Sequence, residues 1–206
     1  MAMKKLMTNN FLEETNPFKT FEHWLNQAKA HELNDPNAMA LSSIDFNGMP
    51  NVRIVLLKDW DERGFVFYTN MESQKGEEVL SAKKAAVNFH WKSLRKQIRI
   101  RGITEQVSDD EADAYFASRP RLSQLGAWAS KQSRPLDSRQ TILDAVAALE
   151  EKYINQDIPR PDYWQGTRIK PLYIEFWQDG DFRLHDRCIF QRSDLSQGWQ
   201  QQRWYP

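Results

Sequence analysis

The sequence predicts a mainly β fold with peripheral helices, of the α+β class, in which an antiparallel sheet or barrel has helices packed outside it. Five strand-like runs follow one another with mostly short turns between them, and such connections favour antiparallel pairing. Regular alternation of strands and helices is absent, which argues against a doubly wound sheet. The chain has 206 residues, 40% of them hydrophobic, enough for a real core. We expect a single domain at 17–206, preceded by a polar, mobile segment at 1–16.

The strand predictions rest on short apolar or alternating runs bounded by turn residues. The predicted strands cover 39–46, 52–58, 64–70, 85–91 and 97–107. A closing hairpin is predicted at 172–192, with its turn at Asp179-Gly180. The Pro-rich stretch 155–171 between helix and hairpin is expected to be irregular.

Helical spacing and capping residues predict helices outside the sheet. The predicted helices cover 18–31, 73–82, 108–119 and 138–153. The sequence "SDDE" at 108–111 is a capping box, and the helix that it opens should end near Arg119-Pro120. In the last helix the expected buried stripe consists of Ile142, Leu143, Val146 and Leu149.

Composition excludes several classes of protein. The 28 basic and 28 acidic residues cancel, which gives no support for nucleic-acid binding by bulk charge. The single cysteine, Cys188, excludes an internal disulfide and favours a reducing compartment, so we expect a cytoplasmic protein. The start "MAMKKLMTNN" has no apolar run behind its lysines and is not expected to be a signal peptide. No run of about 18 apolar residues is present, so no membrane span is expected.

Sequence motifs for metals, nucleotides and serine hydrolysis are also missing. The four histidines show no metal-ligand spacing, so no metal is expected. Neither G-x-G-x-x-G nor G-x-x-x-x-G-K-[ST] occurs, so any phosphate must be held by side chains rather than by a glycine-rich loop. No G-x-S-x-G elbow is present, which excludes that type of serine hydrolase.

Three basic side chains follow the turn in "YIEFWQDGDFRLHDR", residues 173–187. Alternation along a strand would place Arg183, His185 and Arg187 on one face. Such side chains repel one another unless an anion or carboxylates lie nearby. From the residues alone, a ligand site and a solvated basic edge balanced by the nearby aspartates both stay open.

The stretch "YFASRPRLSQLGAWAS" at 115–130 combines hydrogen-bond donors with flat aromatic surfaces, which suits an aromatic phosphate ester. Its contributors are Tyr115, Arg119, Ser123 and Trp128. Arg53 and Lys58 flank an apolar strand, and Ser73 and Lys75 lie at a predicted helix start, where anions are favoured. When each pair is taken alone, charged strand ends and a solvated cap explain these residues better than a ligand site does. Together the stretches favour a pocket for a phosphorylated, aromatic ligand.

In order and spacing, these stretches resemble the pyridoxine/pyridoxamine 5′-phosphate oxidase family. The resemblance runs from about Asn37 to the end, through "RIVLLK", "GFVFYTN", "SQKG", "RKQIRIRG", "YFASRPRLSQLGAWAS", "IPRP" and "IEFWQDGDFRLHDR". It implies a split β-barrel that binds FMN and works as a homodimer, with both subunits lining each active site. It also implies oxidation of pyridoxamine 5′-phosphate and pyridoxine 5′-phosphate to pyridoxal 5′-phosphate, with O2 as acceptor and H2O2 released.

The resemblance assigns two sets of site residues by position. The FMN contacts would be Arg53, Ile54, Val55, Leu56, Leu57, Lys58, Tyr68, Thr69, Gln74, Lys75, Gln97, Gln132, Ser133, Trp177 and Arg187. The substrate contacts would be Lys58, Tyr115, Arg119, Ser123, Arg183 and His185. Arg183 and His185 would orient the substrate ring and manage its charge, which makes them the catalytic candidates.

Three stretches depart from the family pattern. Gln74 stands where arginine is usual, "YWQGT" replaces Trp-Gly-Gly, and "RWYP" replaces Arg-Leu-x-Pro. Two other functions stay open: a non-catalytic split-barrel protein that stores or senses FMN or pyridoxal phosphate, and a flavin reductase that uses a nicotinamide cofactor. The presence of the whole substrate set argues against the first, and comparing NADH with pyridoxamine phosphate as reductant separates the second.

Overall fold

The computed structural model describes residues 10–206, and this part of the chain contains nine strands and five α-helices. The strands are β1 (Ala38–Ile44), β2 (Pro50–Leu56), β3 (Asp59–Asp61), β4 (Gly64–Asn70), β5 (Lys84–Trp91), β6 (Lys96–Gln106), β7 (Trp164–Gln178), β8 (Asp186–Gln191) and β9 (Gln200–Arg203). The helices are α1 (Pro17–His31), α2 (Gln74–Ala82), α3 (Asp109–Ala117), α4 (Arg121–Ala129) and α5 (Arg139–Lys152).

All nine strands belong to one antiparallel sheet. Its order is β2-β1-β5-β6-β7-β4-β3, and β8 pairs with both β7 and β9. One edge of β7 pairs with β6, while its other edge pairs with β4 near the start and with β8 near the end. The predicted antiparallel sheet with helices outside it is therefore confirmed.

One face of β6, β7 and β8 forms the main core against α1. Ile98, Phe176 and Cys188 lie opposite one another on these strands and are fully buried. Trp24 of α1 packs edge-on against Phe176, with 5.3 Å between ring centroids. Because side chains alternate along a strand, the opposite face at this end of the sheet is left for polar residues.

A smaller cluster covers the start of β7. Phe116 of α3, Leu125 of α4 and Tyr153 after α5 are buried together with Trp164. Capping residues set the helix positions: Ser108 and the third helical residue exchange the two hydrogen bonds of a capping box at α3. The helices α3 to α5 thus pack as a group beside β4 and the start of β7.

The expected irregular stretch 155–171 is wrong from Trp164 onward, because β7 begins there. Pro171 lies inside the strand, opposite Gly102 at a shift of register between β6 and β7. At such a bulge the ladder does not need the N–H that proline lacks. Glycine is required on the partner strand, since a Cβ there would overlap the carbonyl oxygen of Lys170.

The predicted strand through Arg183 and His185 is also wrong. The chain makes a 3-10 turn at Asp181–Arg183 before β8 begins. Phe182 and Arg183 have positive φ angles of 56° and 65°, and such angles break strand alternation. Arg183 and His185 therefore do not share a strand face with Arg187.

The predicted helices at 18–31, 73–82, 108–119 and 138–153 are confirmed with small shifts of their ends as α1, α2, α3 and α5. Helix α4 and the short strands β3 and β9 were not predicted; Pro120 precedes α4 as its N-cap rather than ending helical structure. The expected buried stripe of α5 is only partly right. Val146 and Leu149 are half-buried and pack against the cluster of Phe116, Leu125 and Trp164, but no residue of α5 is fully buried and Leu143 is 47% exposed. The reason is that α5 packs on α4 rather than on the sheet.

The first described residues pack on the core. Asn10–Leu12 form a 3-10 turn, and the buried ring of Phe11 lies 5.0 Å from the ring of Trp24. The expected mobile segment at 1–16 thus includes a packed portion, while 1–9 lie outside the described residues.

A buried arginine ties the start of β7 to its neighbours. Arg168 is 2% exposed, and its guanidinium contacts Glu111 at 2.9 Å and Asp61 at 3.3 Å. Burial acts to raise the pKa of both carboxyls. Hydrogen bonds and the charges of Arg168 and Arg63 outweigh it, so both pKa values lie below their usual range. Both carboxylates are ionised partners at neutral pH.

Arg168→Met should lower the free energy of unfolding by about 2 kcal/mol, because the two partly exposed carboxylates lose their buried partner. Arg63→Met is the matched control, since Arg63 contacts the same carboxylates from a 60% exposed position; its cost should be clearly smaller than that of Arg168→Met, because exposed ion pairs are screened by solvent.

The contribution of Arg168 should be complete above about pH 4, near the unfolded-state pKa values, and be lost as the pH falls through the lower folded-state values. Urea unfolding at neutral and acidic pH measures both effects. Equal losses of unfolding free energy for Arg168→Met and Arg63→Met would contradict the larger stabilisation expected from the buried Arg168.

Candidate active site

A cavity of about 460 Å³ is bounded by β2, β4, α3, α4 and the start of β7. The residues predicted for the site that line it are Ile54, Val55, Leu56, Lys58, Tyr68, Thr69, Lys75, Tyr115, Arg119, Ser123 and Gln132. The lining residues that the sequence did not single out are Asn70, Gly126, Ala127, Ser130 and Trp164. We refer to this space as the Arg119 cavity.

Three nearly parallel aromatic rings form one wall of the Arg119 cavity. The Tyr68 centroid lies 4.1 Å from that of Tyr115 and 5.1 Å from that of Trp164, and the latter two centroids are 6.0 Å apart. The guanidinium carbon of Arg119 lies 4.8 Å from the Trp164 ring centroid, within the range of a cation–π contact. The wall offers flat apolar surface next to a fixed positive charge.

Arg119 carries a buried donor without a partner. Its Nη1 is shielded from solvent and has no hydrogen-bond acceptor within residues 10–206. Burial lowers the pKa of Arg119, and Tyr115 partly offsets the shift, but an arginine stays charged. An unpaired buried donor on a cation is costly. The cavity therefore suits an anion, and Lys58 and Ser123 line it as further donors.

Another cation of the cavity lies at the first turn of α2. The amino group of Lys75 contacts Gln132 Oε1 at 2.6 Å, Thr69 Oγ1 at 3.3 Å and Ser73 Oγ at 3.4 Å. All these acceptors are uncharged. Burial lowers the pKa of Lys75, with a further lowering by Arg53. A half-buried ammonium held by neutral oxygens at a helix start fits the phosphate of a cofactor such as FMN.

Arg53 lies next to this region but does not line the cavity. Its Nη2 is 3.0 Å from Glu78 Oε2, and its Nη1 contacts Ser43. Burial acts to raise the pKa of Glu78, but hydrogen bonds from Ser43, Asn51 and Arg53 outweigh it and keep the carboxylate ionised. The side chain of Arg53 is thus held in place by a buried acid.

The remaining predicted flavin residues of this region are also outside the cavity lining. Leu57 is buried in the main core, while Gln74 and Ser133 are exposed. Ser133 has a positive φ of 65° in the loop that carries Gln132 to Lys75.

A separate group of predicted residues lies near the other end of β7. Gln97 pairs with Trp177, and Trp177 pairs with Arg187, across β6, β7 and β8. Directly opposite residues of antiparallel strands point to the same side. These three side chains therefore form a row on the face opposite the core, which we call the Trp177 row.

The turn before β8 brings His185 to this row. Its ring lies 4.7 Å from the Trp177 ring. Its Nδ1 is 2.9 Å from Asp179 Oδ1 and 3.2 Å from the backbone nitrogen of Gly180. When Nδ1 carries a proton it donates to Asp179, and in the other tautomer it accepts from the N–H of Gly180. Arg183 is exposed on the turn. His185 thus joins the Trp177 row through the turn and not, as predicted, through strand alternation.

Within one chain, the residues of the Trp177 row and of the turn before β8 do not reach the Arg119 cavity. None of Gln97, Trp177, Arg183, His185 and Arg187 lines the Arg119 cavity. The sequence missed Trp164, although "YWQGT", which includes it, marked this stretch as a departure from the family pattern.

Two further findings bear on site chemistry. Within residues 10–206, no three His, Cys, Asp or Glu side chains are grouped as they would be around a metal ion. The helices of that same part of the chain are too short or too polar to cross a membrane.

Two family descriptions match the chain. Residues 25–153 match "Pyridoxamine 5'-phosphate oxidase", and residues 164–206 match "Pyridoxine 5'-phosphate oxidase C-terminal dimerisation region". Among curated relatives, the pyridoxine/pyridoxamine 5′-phosphate oxidase of Allorhizobium ampelinum is 60% identical over 100% of both chains. The enzyme of the same name from Brucella anthropi is 61% identical over 97% of this chain and 100% of its own.

Solved structures are similar as well. PhzG from Burkholderia lata, solved with tetrahydrophenazine-1-carboxylic acid, is 27% identical, covers 94% of each chain and gives a TM-score of 0.87. A pyridoxamine 5′-phosphate oxidase-related, FMN binding protein from Nostoc punctiforme is 16% identical over 91% of this chain and 96% of its own, with a TM-score of 0.74, and supports the fold alone. The split β-barrel expected from the resemblance is confirmed, and the chain belongs to the pyridoxamine 5′-phosphate oxidase family.

Proposed function

We propose that this protein oxidises pyridoxamine 5′-phosphate and pyridoxine 5′-phosphate to pyridoxal 5′-phosphate, with FMN as bound cofactor. The Arg119 cavity carries the proposal, because it sets a buried guanidinium donor without a partner beside three stacked aromatic rings. A phosphate would offset the positive charge of that guanidinium and of Lys58, and a pyridine ring suits the aromatic wall. Cys188 is a buried free thiol, which suits the reducing cytoplasm as the compartment.

The substrate phosphate is assigned to the donors of the Arg119 cavity. Lys58, Tyr115, Arg119 and Ser123 line one space, and a phosphate with nearly two negative charges can accept from all of them. Each charge-assisted hydrogen bond contributes about 1.5–3 kcal/mol. Trp164 supports the Arg119 guanidinium through the cation–π contact and so limits its movement.

The cofactor is assigned to both groups of residues. Lys75, Thr69 and Gln132 suit its phosphate, and the Trp177 row suits its ring. Gln74 and Ser133 adjoin Lys75 and Gln132 in sequence, and the charge of Arg53 acts on Lys75. Bound FMN would supply hydride acceptance from the substrate, with O2 as the final electron acceptor and H2O2 as its product. The task of the protein is to hold the substrate ring at near-attack distance.

Arg183 and His185 are assigned to the substrate ring. The contacts of His185 with Trp177 and Asp179 use its ring face and Nδ1, which leaves Nε2 for a ligand. A ring nitrogen held in this way can orient the substrate and exchange a proton with it at Nε2. Arg183 adds a positive charge from the exposed turn.

Each complete site is proposed to need two chains. Trp164 of the cavity and Trp177 of the row are separated by 13 positions of β7, which is about 40 Å for a straight strand and less for a bent one. A homodimer related by a twofold axis can instead place the row of one subunit over the cavity of the other. The matched C-terminal dimerisation region contains the row residues of β7 and β8.

The purified protein should be yellow and should release FMN, not FAD, on denaturation. Anaerobic addition of pyridoxamine 5′-phosphate should bleach the flavin absorbance, and air should restore it. NADH at the same concentration should bleach far more slowly. A protein that binds no added FMN, or a flavin bleached by NADH and not by the phosphorylated amine, would overturn the proposal.

Alanine variants of the Trp177 region should fail in two ways. Arg183→Ala and His185→Ala should keep FMN bound but lose turnover, because a ring displaced by about 1 Å reacts far more slowly. Arg187→Ala should weaken FMN binding, and added FMN should restore part of the rate. Steady-state rates at limiting and saturating FMN distinguish these outcomes. Wild-type rates for all three variants without extra FMN would show that these residues are only surface.

Hybrid dimers should test the shared site. Arg119→Ala and Arg183→Ala homodimers should each be inactive, whereas mixed subunits should recover about a quarter of wild-type activity after random exchange, since half the dimers have one intact site. The control mixes Arg119→Ala with Lys58→Ala, two variants of one cavity, and should recover nothing. Lack of recovery in proven Arg119→Ala/Arg183→Ala hybrids would place both groups in a site within one chain.

A further inference from the structure

We infer that the C-terminal residues Trp204 and Tyr205, together with Glu175, are positioning residues that hold Arg187 for FMN. The inference rests on the proposed function, in which Arg187 contacts the flavin. It assigns a role to the stretch "RWYP", residues 203–206.

Glu175 holds Arg187 from the sheet side. Its side chain is 2% exposed, and its Oε1 accepts from Arg187 Nε at 2.7 Å. Its Oε2 accepts from Tyr173 Oη at 2.7 Å and from Arg99 Nε at 3.0 Å. Burial acts to raise the pKa of Glu175, but the hydrogen bonds from Arg187, Tyr173 and Arg99 outweigh it. An ionised, buried carboxylate with both oxygens occupied has little freedom to move, so it fixes Nε of Arg187.

The C-terminal segment holds Arg187 from the other side. Arg187 Nη1 donates to the carbonyl oxygen of Tyr205 at 2.8 Å. The Trp204 ring centroid lies 5.6 Å from the guanidinium carbon, and the backbone N–H of Trp204 donates to the Arg187 carbonyl oxygen at 3.1 Å. Tyr173 supports the Trp204 ring in an edge-on contact at 6.5 Å. The guanidinium is thus fixed by hydrogen bonds at two nitrogens and by an aromatic face.

One amino group remains for a ligand. Nε and Nη1 of Arg187 are occupied, and none of the side-chain hydrogen bonds and ion pairs found for Arg187 among the described residues uses Nη2. Arg187 is opposite Trp177 in the row, so Nη2 is held at the face assigned to the flavin. An arginine that is fixed before the ligand arrives loses less conformational freedom on binding. Leucine at position 204 would supply no π face for this contact.

The experiment titrates apoprotein with FMN, follows the quenching of flavin fluorescence, and compares full-length variants. Trp204→Leu should raise the Kd for FMN about two- to fivefold, which is the range expected for an exposed cation–π contact. Trp204→Phe should return most of the affinity, because it restores an aromatic face. At saturating FMN, kcat of Trp204→Leu should equal that of the wild type.

Trp199→Leu is the matched control. Trp199 also stacks on an arginine, Arg192, at 4.3 Å, but that arginine has no assigned contact with FMN, so the Kd should not change. Light scattering checks that each variant is still a dimer. In an Arg187→Ala background, Trp204→Leu should cause no further loss of FMN affinity.

The outcomes separate this inference from the proposed function. A wild-type protein that binds no FMN overturns both. If the wild-type protein binds FMN and oxidises pyridoxamine 5′-phosphate, but Trp204→Leu binds FMN with wild-type affinity, only the inference is overturned. The inference is also overturned if dimeric Trp204→Leu loses FMN affinity but phenylalanine at this position does not restore it. The same holds if Trp204→Leu lowers FMN affinity further in the Arg187→Ala background, because Trp204 would then act independently of Arg187.

Discussion

The pairing of β7 with three strands at once is the constraint on which the rest of the structure depends. The start of β7 pairs with β4 and stacks Trp164 on Tyr68 in the Arg119 cavity, while its end pairs with β8 and sets Trp177 beside Arg187. Because side chains alternate along the strand, Phe176 in the core fixes the outward direction of Trp177. A shift of one residue would reverse both faces. The register that the core demands therefore also orients the proposed site.

The fold was predictable where the signals act locally. Helical spacing and the capping box at Ser108 located α1 and α3 because such contacts span only a few residues. Pro171 was misread because its place in a strand depends on Gly102, a partner on another strand far away in sequence. The turn before β8 was missed because its positive φ angles fall on Phe182 and Arg183, residue types that give no local signal for such a conformation.

The resemblance identified the candidate site residues but not their burial or their hydrogen-bond partners in the folded chain. Position in a motif assigned Arg119 and Arg187 to ligands. It did not indicate that Arg119 has a buried donor without a partner or that Arg187 is fixed by Glu175. Both features arise from contacts between segments that are distant in the chain or from the burial that folding creates. The buried Glu78 likewise holds Arg53. The fold therefore fixes both arginines that are proposed to contact FMN, Arg53 and Arg187, by the same kind of ion pair.

Two of the three cations that line the cavity, Arg119 and Lys75, also explain why a ligand should stabilise the folded protein. Arg119 leaves a buried donor unsatisfied, and Lys75 rests on neutral oxygens while burial lowers its pKa. These arrangements cost folding free energy as long as no anion is present. An anion that binds the folded state and not the unfolded chain removes this cost and adds its own binding free energy. If the ligand also bridges the Arg119 cavity of one subunit and the Trp177 row of the other, the same linkage stabilises the dimer. Folding, assembly and cofactor binding then favour one another because they share the same charged groups.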